Sequence, residues 1–271
     1  MVFRGASAEA MGALSGQLDG QLGGAVSGDA RKVGLDLFAV AGVLRAEPGL
    51  RRVATDVAVS AEAKTGLVRD VFGGKVDQGA LTLTTDAVGR RWTTPRDLPH
   101  ALEQLGVMAV VRSARDEASR LSDELFAFGQ TVKDSSDLRD ALSDPARSVE
   151  DKRTLVRGLL EGRALPATIA LVDQSLAGTH RTVGVALAEY QKVAAEDHGQ
   201  SVATIRVAQP LADADRRRLT EVLTRQYDRS MHVNVVVDPQ VIGGIRVEVG
   251  DDVIDGTVAS RLDDARRKLA G

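Results

Sequence analysis

Apolar residues recur along most of the chain at steps of three and four positions, which is the period of an amphipathic helix. Leu121, Leu125, Phe128 and Val132 follow this pattern in one well-defined segment. Strict alternation of apolar and polar residues replaces it only after Gly199. The pattern therefore predicts a mainly α protein, with two tandem small helical bundles followed by a small α/β C-terminal domain.

Three short β-rich segments lie in the last part of the chain, at 201–208, 232–238 and 244–249. Between the first two, Asp213 is predicted to cap an Arg-rich helix that runs to Arg229. The residues from Asp251 to Asp255 are interpreted as a turn into a closing amphipathic helix, with Asp255 as its cap.

An internal repeat organises the rest of the chain. A shift of 88 residues aligns 36–75 with 124–163 without a gap, and 14 of the 40 aligned positions are identical. Unrelated sequences would share about three. Ser60 aligns with Ser148, and each is followed by acidic residues, so both serines predict the start of a helix.

The repeat and the change of pattern near Gly199 define three predicted domains. The first bundle, an extra copy, spans 1–96, the second spans 97–198, and the α/β domain spans 199–271. A long helix over about 97–118 is predicted to join the copies, and another over 181–197 leads into the last domain.

Composition excludes several classes of function. The chain has no cysteine, so disulfides, thiolate nucleophiles and cysteine-based metal sites are ruled out. Five Phe, two Tyr and one Trp in 271 residues, with a net charge of −3, argue against a nucleic-acid partner. No charge-free stretch approaches the ~18 residues of a membrane span, and the first residues show no hydrophobic signal core, so we expect a cytoplasmic protein.

Motifs that could carry chemistry are weak, so we predict no catalytic residue, cofactor or metal. Gly73-Gly74-Lys75 lacks the other residues of a phosphate-binding loop and is interpreted as a turn between helices. The four histidines are dispersed, and surface or helix-end positions are predicted for them: His100, His180, His198 and His232. The arginine run Arg216-Arg217-Arg218 is predicted to lie on a solvated helix face.

The C-terminal part carries a long and specific signature. The segment from Val237 to Val258 contains the residues that define it, and Gly243-Gly244 within it predicts a bend that needs a positive φ. The defining residues are Asp238, Ile242, Gly243, Gly244, Arg246, Asp255 and Gly256. This segment resembles the delta subunit of F-type ATP synthases, the family of the oligomycin-sensitivity-conferring protein. Without one 88-residue period the chain would have 183 residues, the ordinary length of that family, and the duplication is similar to actinobacterial versions.

The resemblance implies a non-catalytic stator at the cytoplasmic face of the plasma membrane, held there only through the complex. The bundles would bind the N-terminal helices of alpha subunits, and the C-terminal domain would bind the C-terminal end of the b subunit. Leu121, Leu125 and Phe128 are interpreted mainly as bundle core, with a partner groove beside them as the alternative.

Two other functions stay open at this point. One is a helical-repeat adaptor outside ATP synthase. The other is a metal-dependent hydrolase with a helical lid, which would use Asp251, Asp252 and Asp255.

Overall fold

A computed structural model describes residues 3–23 and 27–270 and contains two compact units, residues 1–193 and 194–271. The predicted boundaries at residues 96 and 199 stay predictions. The described residues of the first unit form helices and the turns and loops that join them. Its helices are α1 (Ala6–Leu22), α2 (Ser27–Ala46), α3 (Pro48–Thr55), α4 (Ala61–Phe72), α5 (Gln78–Gly89), α6 (Asp97–Ser113), α7 (Ala118–Asp134), α8 (Ser136–Ser143), α9 (Val149–Leu160), α10 (Pro166–Ser175) and α11 (Val183–Asp197), the last of which ends in the second unit.

The second unit is a small α/β domain. It contains β1 (Gln200–Val207), α12 (Asp213–Tyr227), β2 (Ser230–Val237), β3 (Ile245–Val249), β4 (Asp252–Asp255) and α13 (Val258–Ala270). The strand order is β2-β1-β3-β4, with β2 parallel to β1 and the other two pairs antiparallel. One core gathers apolar side chains of β1, β2, β3 and α12, among them Ile205, Leu223 and Val247. The predicted fold class, mainly α with a small α/β C-terminal domain, is confirmed.

The 88-residue repeat is visible in the helices. Shifted by 88 residues, α1 to α6 overlap α6 to α11, so α6 is both the last helix of the first copy and the first helix of the second. The Ser60 hydroxyl accepts a hydrogen bond from the Ala63 amide, and the Ser148 hydroxyl accepts one from the Asp151 amide. The two predicted helix starts are therefore confirmed, and the copies share their capping chemistry.

Identical residues of the two copies also make identical turns. The Asp56 and Asp144 carboxylates each accept a hydrogen bond, at 2.8 Å, from the amide two residues later. Gly74 and Gly162 have φ values of 70° and 73°, a conformation that suits glycine. The predicted turn at Gly73-Gly74-Lys75 is thus confirmed, between α4 and α5.

Three helix or strand predictions were wrong in detail. The helix predicted over 97–118 ends at Ser113, because a 3-10 turn at 115–117, with a positive φ at Arg115, separates α6 from α7. Asp213 is the first residue of α12 and makes no capping bond, and Ala212 precedes it. The segment 252–255 forms the edge strand β4 rather than a turn.

Helices α2 and α6 approach each other closely at two glycines. A Cβ on Gly34 would lie 2.7 Å from the Gly106 carbonyl oxygen and 2.6 Å from a Val110 methyl carbon. Because these are backbone and buried neighbours, the helices could accommodate a side chain here only by moving apart.

Replacing Gly34 by alanine should therefore lower the free energy of unfolding by about 1–3 kcal/mol. Gly42 lies on the same helix with nothing within 4 Å of an added Cβ, so Gly42→Ala should leave stability unchanged or raise it by up to about 1 kcal/mol. Urea unfolding of both variants measures the difference. Equal effects of the two substitutions would contradict the close packing of α2 on α6.

Candidate partner-binding surfaces

The signature residues of the C-terminal unit join two turns. Gly244 has a φ of 81°, as predicted for this pair, and a Cβ there would lie 2.4 Å from the Gly256 carbonyl oxygen. The Gly256 amide donates to the Ile245 carbonyl, and the Val258 amide donates to the Gly243 carbonyl, both at 2.9 Å. The segments 243–245 and 256–258 therefore lie against each other, which only glycine at 244 permits.

Asp238 and Asp255 stabilise the ends of these turns. The Asp238 carboxylate accepts a hydrogen bond from the Gln240 amide at 2.9 Å. The Asp255 carboxylate accepts from both the hydroxyl and the amide of Thr257, and these bonds lower the pKa of Asp255. The Thr257 hydroxyl in turn accepts from the Ser260 amide. Thr257 is thus the cap of α13, and Asp255, which was predicted to be the cap, orients it.

Arg246 takes part in an ionic group on the sheet. Its Nε lies 3.2 Å from Glu248 Oε1, and the same oxygen lies 3.5 Å from Nε of Arg206 on the neighbouring strand β1. Arg206 and Arg246 are direct partners in the antiparallel register. One carboxylate thus lies beside two cationic side chains that would otherwise repel each other across the sheet.

An apolar surface, named here the α13 patch, lies beside the signature turns. Ile242 is 78% exposed, Val258 41% and Leu262 59%. Val258 packs near the backbone of Gly243, and Leu262 lies one helical turn further along α13. Exposed aliphatic side chains grouped in this way are typical of a protein interface rather than of a free surface.

A buried ionic cluster, named here the Glu103 cluster, connects the two copies of the repeat in the helical unit. Arg45 of α2 contacts the Glu103 carboxylate of α6 through its guanidinium, and Arg45 Nη2 lies 3.4 Å from the Ala177 carbonyl oxygen. The Thr179 hydroxyl and amide donate to the same carboxylate at 2.6 and 3.1 Å, and the Tyr190 hydroxyl donates at 3.3 Å. The Glu103 side chain is only 5% exposed.

The surroundings of this cluster shift the pKa values of its members. Burial raises the pKa of Glu103, but the hydrogen bonds from Thr179 and the charge of Arg45 outweigh it and hold the pKa below its ordinary value. Burial lowers the pKa of His100, which lies one helical turn before Glu103. Burial also raises the pKa of Tyr190, as does the Glu103 charge.

These shifts predict a loss of stability in acid. Because the folded pKa of His100 lies below its ordinary 6.5, the unfolded chain binds the proton first, and the free energy of unfolding falls as the pH drops through 6.5. The depressed pKa of Glu103 adds a second loss below its ordinary 4.5. Urea unfolding at about pH 7.5 and about pH 5.5 measures the first loss, which should be smaller in His100→Gln. An equal loss in the variant would contradict the assignment to His100.

Leu121, Leu125 and Phe128, the predicted core or groove residues, are 0%, 0% and 5% exposed. Their side chains belong to the core, and a groove beside them stays a prediction. Since Leu125 is fully buried, Leu125→Asp would unfold the bundle rather than test binding.

The predicted positions of the polar candidates are partly corrected. His232 is buried in β2 at 7% exposure, so a surface position was wrong for it, whereas His198 is exposed. Arg216 donates a hydrogen bond to the Val233 carbonyl at 3.0 Å and so connects α12 to β2. The prediction that the arginine run lies on a solvated helix face did not include this contact.

Asp251, Asp252 and Asp255, the alternative metal ligands, do not converge. Asp252 pairs with Val249 in the strand register, and Asp255 binds Thr257. Within residues 3–23 and 27–270, three or more His, Asp or Glu side chains nowhere gather as a metal site. Over the same residues, every helix is too short or too polar to cross a membrane.

Comparison with known proteins is consistent with this architecture. Residues 107–269 match the model of the family described as the ATP synthase delta (OSCP) subunit. The chain is 58% identical over 237 residues to an ATP synthase subunit delta of a Nocardioides species, and this alignment covers 87% of the present chain and 86% of the relative. It is 40% identical over 269 residues to the subunit delta of Streptomyces coelicolor, which covers 98% of both chains.

The match extends across both units, from within α6 to α13, and the relatives also cover most of the extra copy. The signature turns, the duplicated helices and these relatives lead to the same conclusion: the chain belongs to the ATP synthase delta (OSCP) subunit family.

Proposed function

We propose that the chain is a peripheral-stalk subunit of the F-type ATP synthase that links the catalytic head to the b-subunit stalk. The helical unit would bind N-terminal helices of alpha subunits, and the C-terminal unit would bind the C-terminal end of the b subunit. Such a link resists the torque of the rotor, so that proton flow is coupled to ATP synthesis, and it needs binding surfaces rather than catalytic groups.

The observation that carries the proposal for the stalk is the α13 patch. Ile242, Val258 and Leu262 expose aliphatic side chains beside turns that the family signature fixes, and apolar side chains spaced by one helical turn suit contact with another helix. The unit has its own core, so these side chains are available to a partner.

Co-purification tests the proposal in the cell. The full chain, carrying an affinity tag, is isolated from membranes solubilised with a mild detergent, and the recovered proteins are identified by mass spectrometry. We expect to recover both alpha and b subunits. The family role also implies that the chain lies at the cytoplasmic face of the membrane as a peripheral subunit. Recovery of neither would favour an adaptor outside ATP synthase and overturn the proposal.

A further inference from the structure

Helix α2 exposes an apolar stripe on the side that faces away from the core of the first copy. The stripe, named here the α2 stripe, consists of four exposed residues that share one side of the helix: Leu35, Ala39, Val43 and Ala46. Leu35 is 44% and Val43 is 38% exposed. Lys32 stands one helical turn before Leu35, and its side chain is 64% exposed. From Lys32 to Ala46 the helix therefore presents an aliphatic surface about 21 Å long with a cation at one end.

The second copy of the repeat shows that the fold does not require this stripe. Helix α7 lies 88 residues later and has the corresponding surface, on which Ala127 matches Ala39. The residues that match Lys32, Leu35, Val43 and Ala46 there are exposed and polar, namely Arg120, Asp123, Thr131 and Asp134. Because the same position in the fold carries polar residues in one copy and aliphatic residues in the other, the stripe indicates a partner rather than a part of the core.

The spacing of the stripe fits contact with a helix that lies along α2. Residues on this side recur at alternating steps of three and four, which is the heptad spacing of helices packed lengthwise: Lys32, Leu35, Ala39, Gly42 and Ala46. No described atom lies within 4 Å of a Cβ added at Gly42, in the middle of this line. A helix can therefore contact the surface over its whole length.

The charges beside the stripe argue against a second copy of this chain as the occupant. In a parallel pair of α2 helices, Lys32 of one copy would face Lys32 of the other. In an antiparallel pair, the row formed by Asp29 and Asp36 on one side of the stripe would face the same row of the other copy. Like charges at such positions suppress pairing, so the occupant comes from a different polypeptide.

The same charges define the helix that fits. A carboxylate opposite Lys32 would pair with an ammonium group that is largely exposed and lies 3.7 Å from Asp77 Oδ2. The Asp36 carboxylate accepts a hydrogen bond from the Asp77 amide at 2.7 Å, which fixes its position beside the stripe. Basic side chains of the occupant would face Asp29 and Asp36, and an acidic side chain would face Arg31 on the other side.

We propose that the α2 stripe is a docking site for an amphipathic α-helix of another subunit, which lies along α2 with aliphatic heptad residues on Leu35, Ala39 and Ala46 and a carboxylate at Lys32. The duplication then adds a binding surface that the second copy does not have, because α7 is polar at the same positions. That this helix belongs to a subunit of the ATP synthase rests on the proposed function, whereas its chemistry does not.

Photo-cross-linking from the stripe identifies the occupant. A genetically encoded diazirine amino acid replaces Ala39 in the full chain, and the matched control carries it in place of Ala127, the exposed alanine at the same position of α7. Membranes of the producing cells are irradiated, and the attached peptides are identified by mass spectrometry. We expect position 39 to give at least about tenfold more product than position 127, with one helical segment of another polypeptide that has aliphatic heptad residues and a carboxylate. Absence of a product, equal yields, or attachment to a second copy of the chain would overturn the docking site and leave the stator role intact.

A double variant tests whether the aliphatic residues carry the contact. Leu35→Asp with Val43→Thr gives α2 the residues that α7 has at these positions, and the second copy shows that the fold accepts them. The yield from position 39 should fall at least about tenfold, because the substitutions remove the apolar surface and add a charge. Val53→Asp is the matched control, since Val53 is 42% exposed on α3 outside the stripe, and it should leave the yield unchanged.

An undiminished yield in the double variant, or an equal loss in Val53→Asp, would overturn the docking site. A product that depends on Leu35 and Val43 but comes from a polypeptide outside the ATP synthase would support the docking site and contradict the proposed function. The two proposals therefore fail on different results.

Discussion

Ile242→Asp should abolish most of the binding of the full chain to the C-terminal segment of the b subunit. Ile242 is 78% exposed, so the substitution leaves the core intact, and it places a charge in the α13 patch. A charge at an interface anchor costs about 2–4 kcal/mol, which corresponds to about 30- to 1,000-fold weaker binding. Titration calorimetry with a soluble segment of the b subunit measures this loss, and Leu262→Asp should behave in the same way.

The matched control is Val222→Asp. Val222 is 40% exposed on α12 of the same unit, outside the α13 patch, so its replacement adds the same charge to another surface. We expect the control to bind the b segment like the unmodified chain. Equal weakening by Ile242→Asp and Val222→Asp, or no weakening by either, would show that the patch is not the stalk-binding surface.

Glu103→Ala should strongly destabilise the helical unit, with a loss of about 3–5 kcal/mol in the free energy of unfolding. The side chain is 5% exposed and accepts hydrogen bonds from Thr179 and Tyr190 as well as the Arg45 contact. Its removal would leave these donors and the Arg45 charge without their acceptor. Urea or thermal unfolding of the full chain measures the loss.

Glu62 provides the comparison for Glu103. It is an exposed residue of α4, and Glu62→Ala should change stability by no more than about 0.5 kcal/mol. A loss below about 1 kcal/mol in Glu103→Ala would mean that the Glu103 cluster does not hold the two copies together. The acid-induced loss of stability assigned to Glu103 should also disappear in this variant.

Features that depend on neighbouring residues were predictable from the sequence. The serine caps at Ser60 and Ser148, the glycine turn at Gly74 and the positive φ at Gly244 follow from chemistry within a few positions. The repeat strengthened these predictions, because the same local chemistry occurs twice at a constant spacing. Helical periodicity was informative for the same reason.

Features that depend on distant residues could not be predicted. Glu103 contacts partners 58, 76 and 87 positions away, so the sequence spacing of these residues does not indicate that they meet. The sequence does offer one signal for the burial of Glu103 itself, because this glutamate stands between Leu102 and Leu105 of an apolar helix.

Strand β4 was missed for a different reason. All four of its residues are exposed, so the alternation that reveals a half-buried strand is absent. The signal that could have found it is Gly250-Asp251 between two apolar runs, because a glycine followed by an aspartate is a common two-residue hairpin connection. The register confirms such a hairpin, with Val249 opposite Asp252.

The most direct test of the central claim is a bridging assay with purified components. A soluble segment from the C-terminal end of the b subunit is immobilised, the catalytic head is added, and the amount of head retained is measured with and without the full chain. We predict that the head is retained only when the chain is present, and that Ile242→Asp abolishes retention. Retention that does not depend on the chain, or no retention in its presence, would contradict a link between head and stalk.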